Sequence, residues 1–330
     1  MKNLTIIIFV SLTILITGCK DNGTDPDSKN DRNYRQDMRD FVQSISAYAK
    51  GFNPNFVIIP QNGHNLLTLN GEKDGEFAQQ YLTAIDGVGR EDLFYGYEND
   101  NTPTPQSEQI EMIAFMDIAE SNNVQVLATD YCWTESFMLG SYQKNEAKGY
   151  ISFAADHRDL DNIPSYPQSP YNENSSEITS LVEAKNFLYL INPSEFVTKS
   201  EFIDAVKNTN YDLVLIDLFY GDNVGLSSDD VSNLKFKQNG GSRLVLAYMS
   251  IGEAEDYRYY WQSGWKTGSP EWLLEENPNW EGNYKVSYWD KNWQNIIYGN
   301  DNSYLKKIID TGFDGVYLDI IDAFEYFESE

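Results

Sequence analysis

From residue 34 onward, short runs of β-branched and aromatic residues alternate with longer segments whose apolar positions recur every three or four residues. Eight runs read as strands: Phe56–Gln61, Ile85–Glu91, Val124–Asp130, Gly149–Asp156, Phe187–Asn192, Tyr211–Asp217, Leu244–Glu253 and Gly315–Asp322. Helix candidates between them are Arg35–Lys50, Gly75–Ala84, Ser107–Asn122, Ser175–Lys185, Ser200–Asn208, Ser228–Gln238 and Trp289–Thr311. Ser107, Ser200 and Ser228 stand where N-caps belong. Three residues on are Ile110, Ile203 and Val231, so none of them completes a capping box. Strongly apolar strands alternating with helices predict an α/β fold with a parallel sheet buried on both faces. Eight of them over ~300 residues favour a single-domain (β/α)8 TIM barrel across 34–330 rather than an open sheet. No glycine-rich phosphate loop follows any strand, which argues against a nucleotide-binding fold.

Each strand exits into polar residues: Gln61 and Asn62, Glu91, Asp130, Asp156 with Arg158, Asn192, Asp217, Glu253, and Asp319 with Asp322. One acid at a strand end is commonly a helix cap. Eight polar exits in register predict a carboxylate-lined cup at the C-terminal rim, where barrel sites are built. Asp217 ends so apolar a strand that its carboxylate is expected to point into the cup. Tyr248 and Ser250 lie two apart and share a face. Glu253 breaks that alternation, but Gly252 can bend the exit and re-aim it. Gln61, Asn62, Asp130, Tyr131, Trp133, Arg158 and Asp322 complete the expected ligand-binding rim. The 35 residues 254–288 make an insertion of the length that is usually functional. Trp261, Trp265, Trp272, Trp280, Trp289 and Trp293 cluster in and just after it. Indoles stack on sugar faces, yet most of these are expected simply to pin the insertion down.

The first residues change the picture of location. Lys2 precedes the apolar run Leu4–Ile16, which is too short for a stable span and ends in Thr17-Gly18-Cys19. That pattern predicts a lipoprotein signal peptide over 1–18 and lipidation of Cys19, with 19–33 as a polar tether. The expected location is the envelope of a bacterium, lipid-anchored at a membrane, the outer one by preference. Cys132 is then the one remaining cysteine, and with two histidines no metal cluster or disulfide framework is expected. A net charge of −27 excludes nucleic acid as a partner and suits a cationic polymer.

The segments YDLVLIDLF (211–219), LVLAYMSIGEAEDYRYYW (244–261), NPNWEGNYKVSYWDKNWQNIIY (277–298), GFDGVYLDIIDAFEYF (312–327), FVIIPQNG (56–63) and DGVGREDLFYG (86–96) together resemble the polygalactosaminidase-like glycoside hydrolases, family 114. Bacterial relatives of that family sometimes carry a cysteinyl-tRNA synthetase label. The chain has no HIGH-like or KMSKS-like motif to support such a label. In family order the strand like FLYLIN comes first and the one like GFDGVYLDIID fourth. Here the elements that should follow lie at 38–63, so the resemblance implies a circularly permuted barrel. It also implies Asp319 as nucleophile and Glu91 as acid/base, no cofactor, and an α-1,4-linked galactosamine-containing polysaccharide cleaved internally. The departures GVYLDIID and GREDLFYG from the fungal pattern leave the sugar open. Retention and inversion stay open as well, because the separation of the carboxyls decides between them. The alternative function is a glycan-binding surface lipoprotein without catalysis.

Overall fold

A computed structural model of the chain describes residues 32–221 and 224–329. The expected leader, Cys19 and nearly all of the tether lie outside the described residues. All eight expected strands form. In chain order the strands are β1 Val57–Pro60, β2 Gly87–Glu91, β3 Gln125–Tyr131, β4 Ile151–Ala155, β5 Phe187–Leu190, β6 Leu213–Asp217, β7 Leu244–Ser250, β8 Glu253–Glu255, β9 Leu273–Glu276, β10 Asn283–Val286 and β11 Gly315–Asp319. Three of these, β8 to β10, are additional: the 254–288 insertion contributes a small antiparallel sheet in the order β8-β10-β9, set among turns. The long runs expected at Leu244–Glu253 and Gly315–Asp322 stop early, at Ser250 and Asp319.

The helices are α1 Tyr34–Phe52, α2 Gln79–Ala84, α3 Gln106–Ser121, α4 Glu135–Lys148, α5 Lys199–Lys207, α6 Ser228–Leu234, α7 Lys291–Ile297, α8 Tyr304–Thr311 and α9 Ala323–Ser329. Helix α1 shows why the periodicity works: Met38, Phe41, Val42, Ile45 and Ala49 are buried along one stripe. Helix α4 gave no such signal, because its buried face mixes Met138 and Tyr142 with Ser141 and Asn145. Two expected helices differ. Ser175–Lys185 forms only a 3-10 turn at Leu181–Glu183, and Trp289–Thr311 breaks into α7 and α8 around Gly299, whose φ is 97°. The caps shift too. Thr198, not Ser200, accepts from the Glu201 N–H, and Ser227, not Ser228, makes a capping box with Asp230. Helix α3 begins after Pro105, which leaves Ser107 in its first turn.

Two parallel sheets carry the core, in orders β1-β11-β7-β6-β5 and β2-β3-β4. A parallel bridge between Gln61 and Gly89 links β1 to β2, reinforced by the Asn62 N–H donating to the Gly89 carbonyl at 2.8 Å. At the other edges Phe153 of β4 and Phe187 of β5 bring their rings within 5.7 Å. Strand register puts one parity of residues on a common face: Ile59 opposite Tyr317, Tyr317 opposite Tyr248, Tyr248 opposite Asp217, and Glu91 opposite Thr129. Tyr317 reaches from β11 past β1 to β2, where a Cβ on Gly89 would stand 1.9 Å from its hydroxyl. Glycine at 89 is what lets the sheet curve over that ring. Tyr34 stacks on Phe327 at 5.4 Å and Arg35 pairs with Glu328 at 2.9 Å, which ties α1 to α9.

Candidate active site

The C-terminal ends of the strands open into a cavity of about 680 Å³, a volume typical of ligand pockets. Its wall includes both Glu91, the last residue of β2, and Asp319, the last residue of β11, with β1 between their strands. Gln61, Asn62, Tyr131, Arg158, Asn192, Asp217, Tyr248, Ser250, Glu253 and Asp322 also line it. Three adjacent strands leave the rim through a left-handed residue: Asn62 at φ 59°, Asp92 at φ 58° and Ile320 at φ 58°. Asparagine and aspartate tolerate that conformation, but a β-branched isoleucine is strained there. The sharp turns keep Gln61, Glu91 and Asp319 facing the cavity while the chain departs.

Glu91 is gripped by two donors. The Tyr131 hydroxyl donates to its Oε1, and the Asn62 amide donates to Oε2 at 2.9 Å. Tyr131 is fixed in turn by the Arg158 guanidinium, 3.8 Å above its ring. Arg158 donates to Asp92 at 2.8 Å and to Asp100 at 2.7 Å. On the other side, the Tyr248 hydroxyl donates to Asp319 Oδ2 at 2.6 Å, and the Ile320 N–H to Oδ1 at 2.8 Å. Burial, and then the Glu91 charge, push the Asp319 carboxyl up to about 7 despite these donors. Asp322 is raised to about 6 by burial, then by Glu325 and Glu91. Burial is also the main cause raising Glu253.

Asp217 reaches the cavity as expected, but it is not available to a ligand. Arg258 binds it in bidentate fashion at 2.9 and 2.6 Å and holds Glu255 at 2.6 Å through Nε. Gln61 is buried and accepts from the Tyr189 hydroxyl at 2.8 Å. Glu253 does turn in after Gly252, as the bend predicted. A Cβ on Gly252 would lie 2.2 Å from the Ile320 carbonyl, so only glycine fits between the two strand exits.

Three expected rim residues lie elsewhere. Asp130 points away from the cavity because Thr129 and Tyr131 occupy the inward parity of β3. It is fully buried toward α4, accepting from the Phe94 and Tyr95 N–H groups and from the Ser141 hydroxyl at 2.6 Å. Those bonds explain the polar buried face of α4. Trp133 is 56% exposed on the surface beyond the strand end. Asp156 is likewise absent from the cavity wall. Of the six tryptophans, Trp272 and Trp293 are buried, and Trp280 alone lines the cavity. Glu255, Tyr257 and Tyr189 are wall residues the strand-end pattern missed. Glu255 had a signal, since it follows Glu253 at the strand period of two. Among the described residues no group of His, Cys, Asp or Glu side chains is arranged to hold a metal ion.

Residues 183–330 match the sequence profile of Glycoside-hydrolase family GH114. The stretch holds β5 to β11, and hence Asp319, but not β2 and Glu91. An uncharacterized protein of Methanocaldococcus jannaschii is 39% identical over 180 residues, covering 54% of this chain and 49% of that protein. Uncharacterized proteins of Deinococcus radiodurans and Thermotoga maritima are 42% identical over 123 residues and 54% identical over 85 residues. These cover 37% and 26% of this chain, and 37% and 25% of those proteins. The chain thus spans about half, or less, of the length of the curated relatives it matches.

Proposed function

We propose that this chain is a glycoside hydrolase that cleaves a polysaccharide in the cup at the strand ends, with Asp319 and Glu91 as its two carboxyl groups. One observation carries the reading: two acids more than two hundred residues apart end neighbouring parts of the sheet, line one cavity, and are each gripped by a tyrosine hydroxyl. Glycosidic cleavage needs such a pair, one group to protonate the leaving oxygen and one to attack the anomeric carbon or activate water. In this reading the eight parallel strands close into a (β/α)8 barrel, in a strand order permuted relative to the family. Joining the chain near Phe327 to Tyr34 and reopening it before Phe187 would restore that order, and the product is expected to fold and hydrolyse alike.

Asp319 as nucleophile and Glu91 as acid/base is the assignment the family resemblance supports. The exchanged roles are favoured by a specific observation: burial, and then the Glu91 charge, hold the proton of Asp319 to about pH 7. The pH profile separates the two. If Asp319 attacks, kcat/KM rises with pH through about 7; if it donates the proton, kcat/KM falls there.

The substrate we propose is a polymer containing cationic amino sugar. Among the described residues Glu253 and Asp322 line the cup without an ion-pair partner, while its two arginines are each committed to two carboxylates. The exported, lipid-anchored form follows from Cys19, and Cys19→Ser should abolish membrane association. Reducing-end release from a panel of galactosamine-containing and neutral polysaccharides tests the activity. Binding without release by the wild-type protein would instead select the glycan-binding alternative.

A further inference from the structure

Behind the cup lies a second cavity of about 280 Å³. It shares Glu253, Ile320 and Asp322 with the cup, so those residues form a ridge between the two spaces rather than the wall of an isolated void. Two elements build its far side. In the small antiparallel sheet Lys285 pairs directly opposite Glu253, so both side chains project from the same face. On α9, Ala323, Tyr326 and Phe327 are spaced three and four apart and present one helix face. Asn277 and Glu325 complete the lining.

The chemistry of this lining is divided. Tyr326 and Phe327 contribute apolar surface, and Tyr326 is held in place by its hydroxyl donating to Glu275 and by Lys285 over its ring at 3.5 Å. Lys285 is tethered to Glu275 at 3.2 Å. Glu253, only 5% exposed, spends Oε1 on the Asn277 amide at 2.8 Å, and Oε2 has no hydrogen-bond partner among the described residues. A buried carboxylate oxygen left open in a cavity wall is an acceptor for a ligand's hydroxyl or ammonium group.

We propose that this second cavity is a subsite for a further unit of the polysaccharide held in the cup, so that the sugar chain crosses the ridge formed by Glu253 and Asp322. An apolar surface beside several acceptors and one cation matches a pyranose ring carrying hydroxyl or amino groups, and the volume admits one such unit. The proposal rests on the saccharide-binding reading above, with Glu253 contacting the units on both sides.

The test measures binding of galactosamine oligosaccharides of increasing length to the Asp319→Asn protein by calorimetry, so that turnover does not interfere. One step in length should raise affinity about tenfold, the size of one good set of hydrogen bonds. Filling the cavity with Glu325→Trp should erase that step. In protein that retains Asp319, the same Glu325→Trp change should shift the lengths of the products released, read by mass spectrometry. Affinity that does not grow with length, or a step that survives Glu325→Trp, would overturn the subsite. A length step in Asp319→Asn that Glu325→Trp erases, together with no release of reducing ends by the wild-type protein, would sink the hydrolase reading and leave the subsite standing.

Discussion

The rim above β2 and β3 and the rim above β6, β7 and β11 are built on the same plan from different depths. Each ends a strand in a carboxylate, follows it with a left-handed residue, and grips it with a tyrosine hydroxyl. Each also holds an arginine between two carboxylates, Arg158 between Asp92 and Asp100, and Arg258 between Asp217 and Glu255. Arg158 is about one-third exposed, whereas Arg258 and both its partners are almost wholly out of water. The first cluster is therefore a brace that water screens. The second is a charge network whose members each depend on the others. In the deeper rim, Asp319 has its proton held to about neutral pH by burial beside another acid.

Removing either candidate carboxylate should have the largest effect. Asp319→Asn and Glu91→Gln are each expected to lower kcat/KM for polysaccharide hydrolysis at least about a thousandfold, with an unchanged circular dichroism spectrum. Full activity in either purified variant would break the pairing.

The arginines come next, and they sharpen the difference in depth. Arg258→Met strands Asp217 and Glu255 as buried charges and should cost about 3–5 kcal/mol in urea unfolding. Arg158→Met breaks a partly exposed brace and should cost no more than about 1 kcal/mol. Equal losses would show that the two clusters do not differ as their burial implies.

The tyrosines should matter less. A hydrogen bond to a charged group contributes about 1.5–3 kcal/mol, so Tyr248→Phe is expected to slow hydrolysis about tenfold or somewhat more. It should also move the limb near pH 7 upward, because the ionised Asp319 loses a donor. Tyr131→Phe should slow the reaction comparably without moving the Asp319 limb upward.

The smallest expected effect is on stability against pH. A carboxyl whose proton is held more tightly in the folded protein stabilises it below its unfolded value, near 4. That contribution is lost as pH rises through the folded value, here about 7 for Asp319 and about 6 for Asp322. Wild-type melting temperature should fall between about pH 4 and 7 beyond what Asp319→Asn shows, and the variant should be the more stable of the two at pH 8. Coincident curves would remove the burial argument for Asp319.

Much of this was legible because it depends on local pattern. Most of the eight parallel strands were visible as apolar runs, since a strand covered on both faces is largely apolar, whereas β2, GVGRE, offers a single aliphatic residue. Glu91, Asp319 and Glu253 reached the cup because each ends a strand, or follows a glycine, at a position the sequence marks, and Tyr248 because it shares the inward parity of β7 with Ser250. Asp130, one residue before the end of β3, did not. One step of register separates it from Tyr131, and that step decides whether a side chain meets the cavity or a helix. The N-cap shifts at Ser200 and Ser228 have a similar origin, because neighbouring Thr198 and Ser227 offer the same hydroxyl.

What the sequence by itself determined, then, is the set of elements and the kind of chemistry at their ends: short-range periodicity and residue type are properties of a few neighbours. Partnership was decided only in three dimensions. That Asp217 is spent on Arg258, that Tyr131 and Asn62 converge on Glu91, and that the insertion after β7 folds into a sheet walling a second cavity all depend on contacts between residues far apart in the chain. Such contacts follow from which strands lie side by side and which parity faces inward, and no local window of sequence contains either fact.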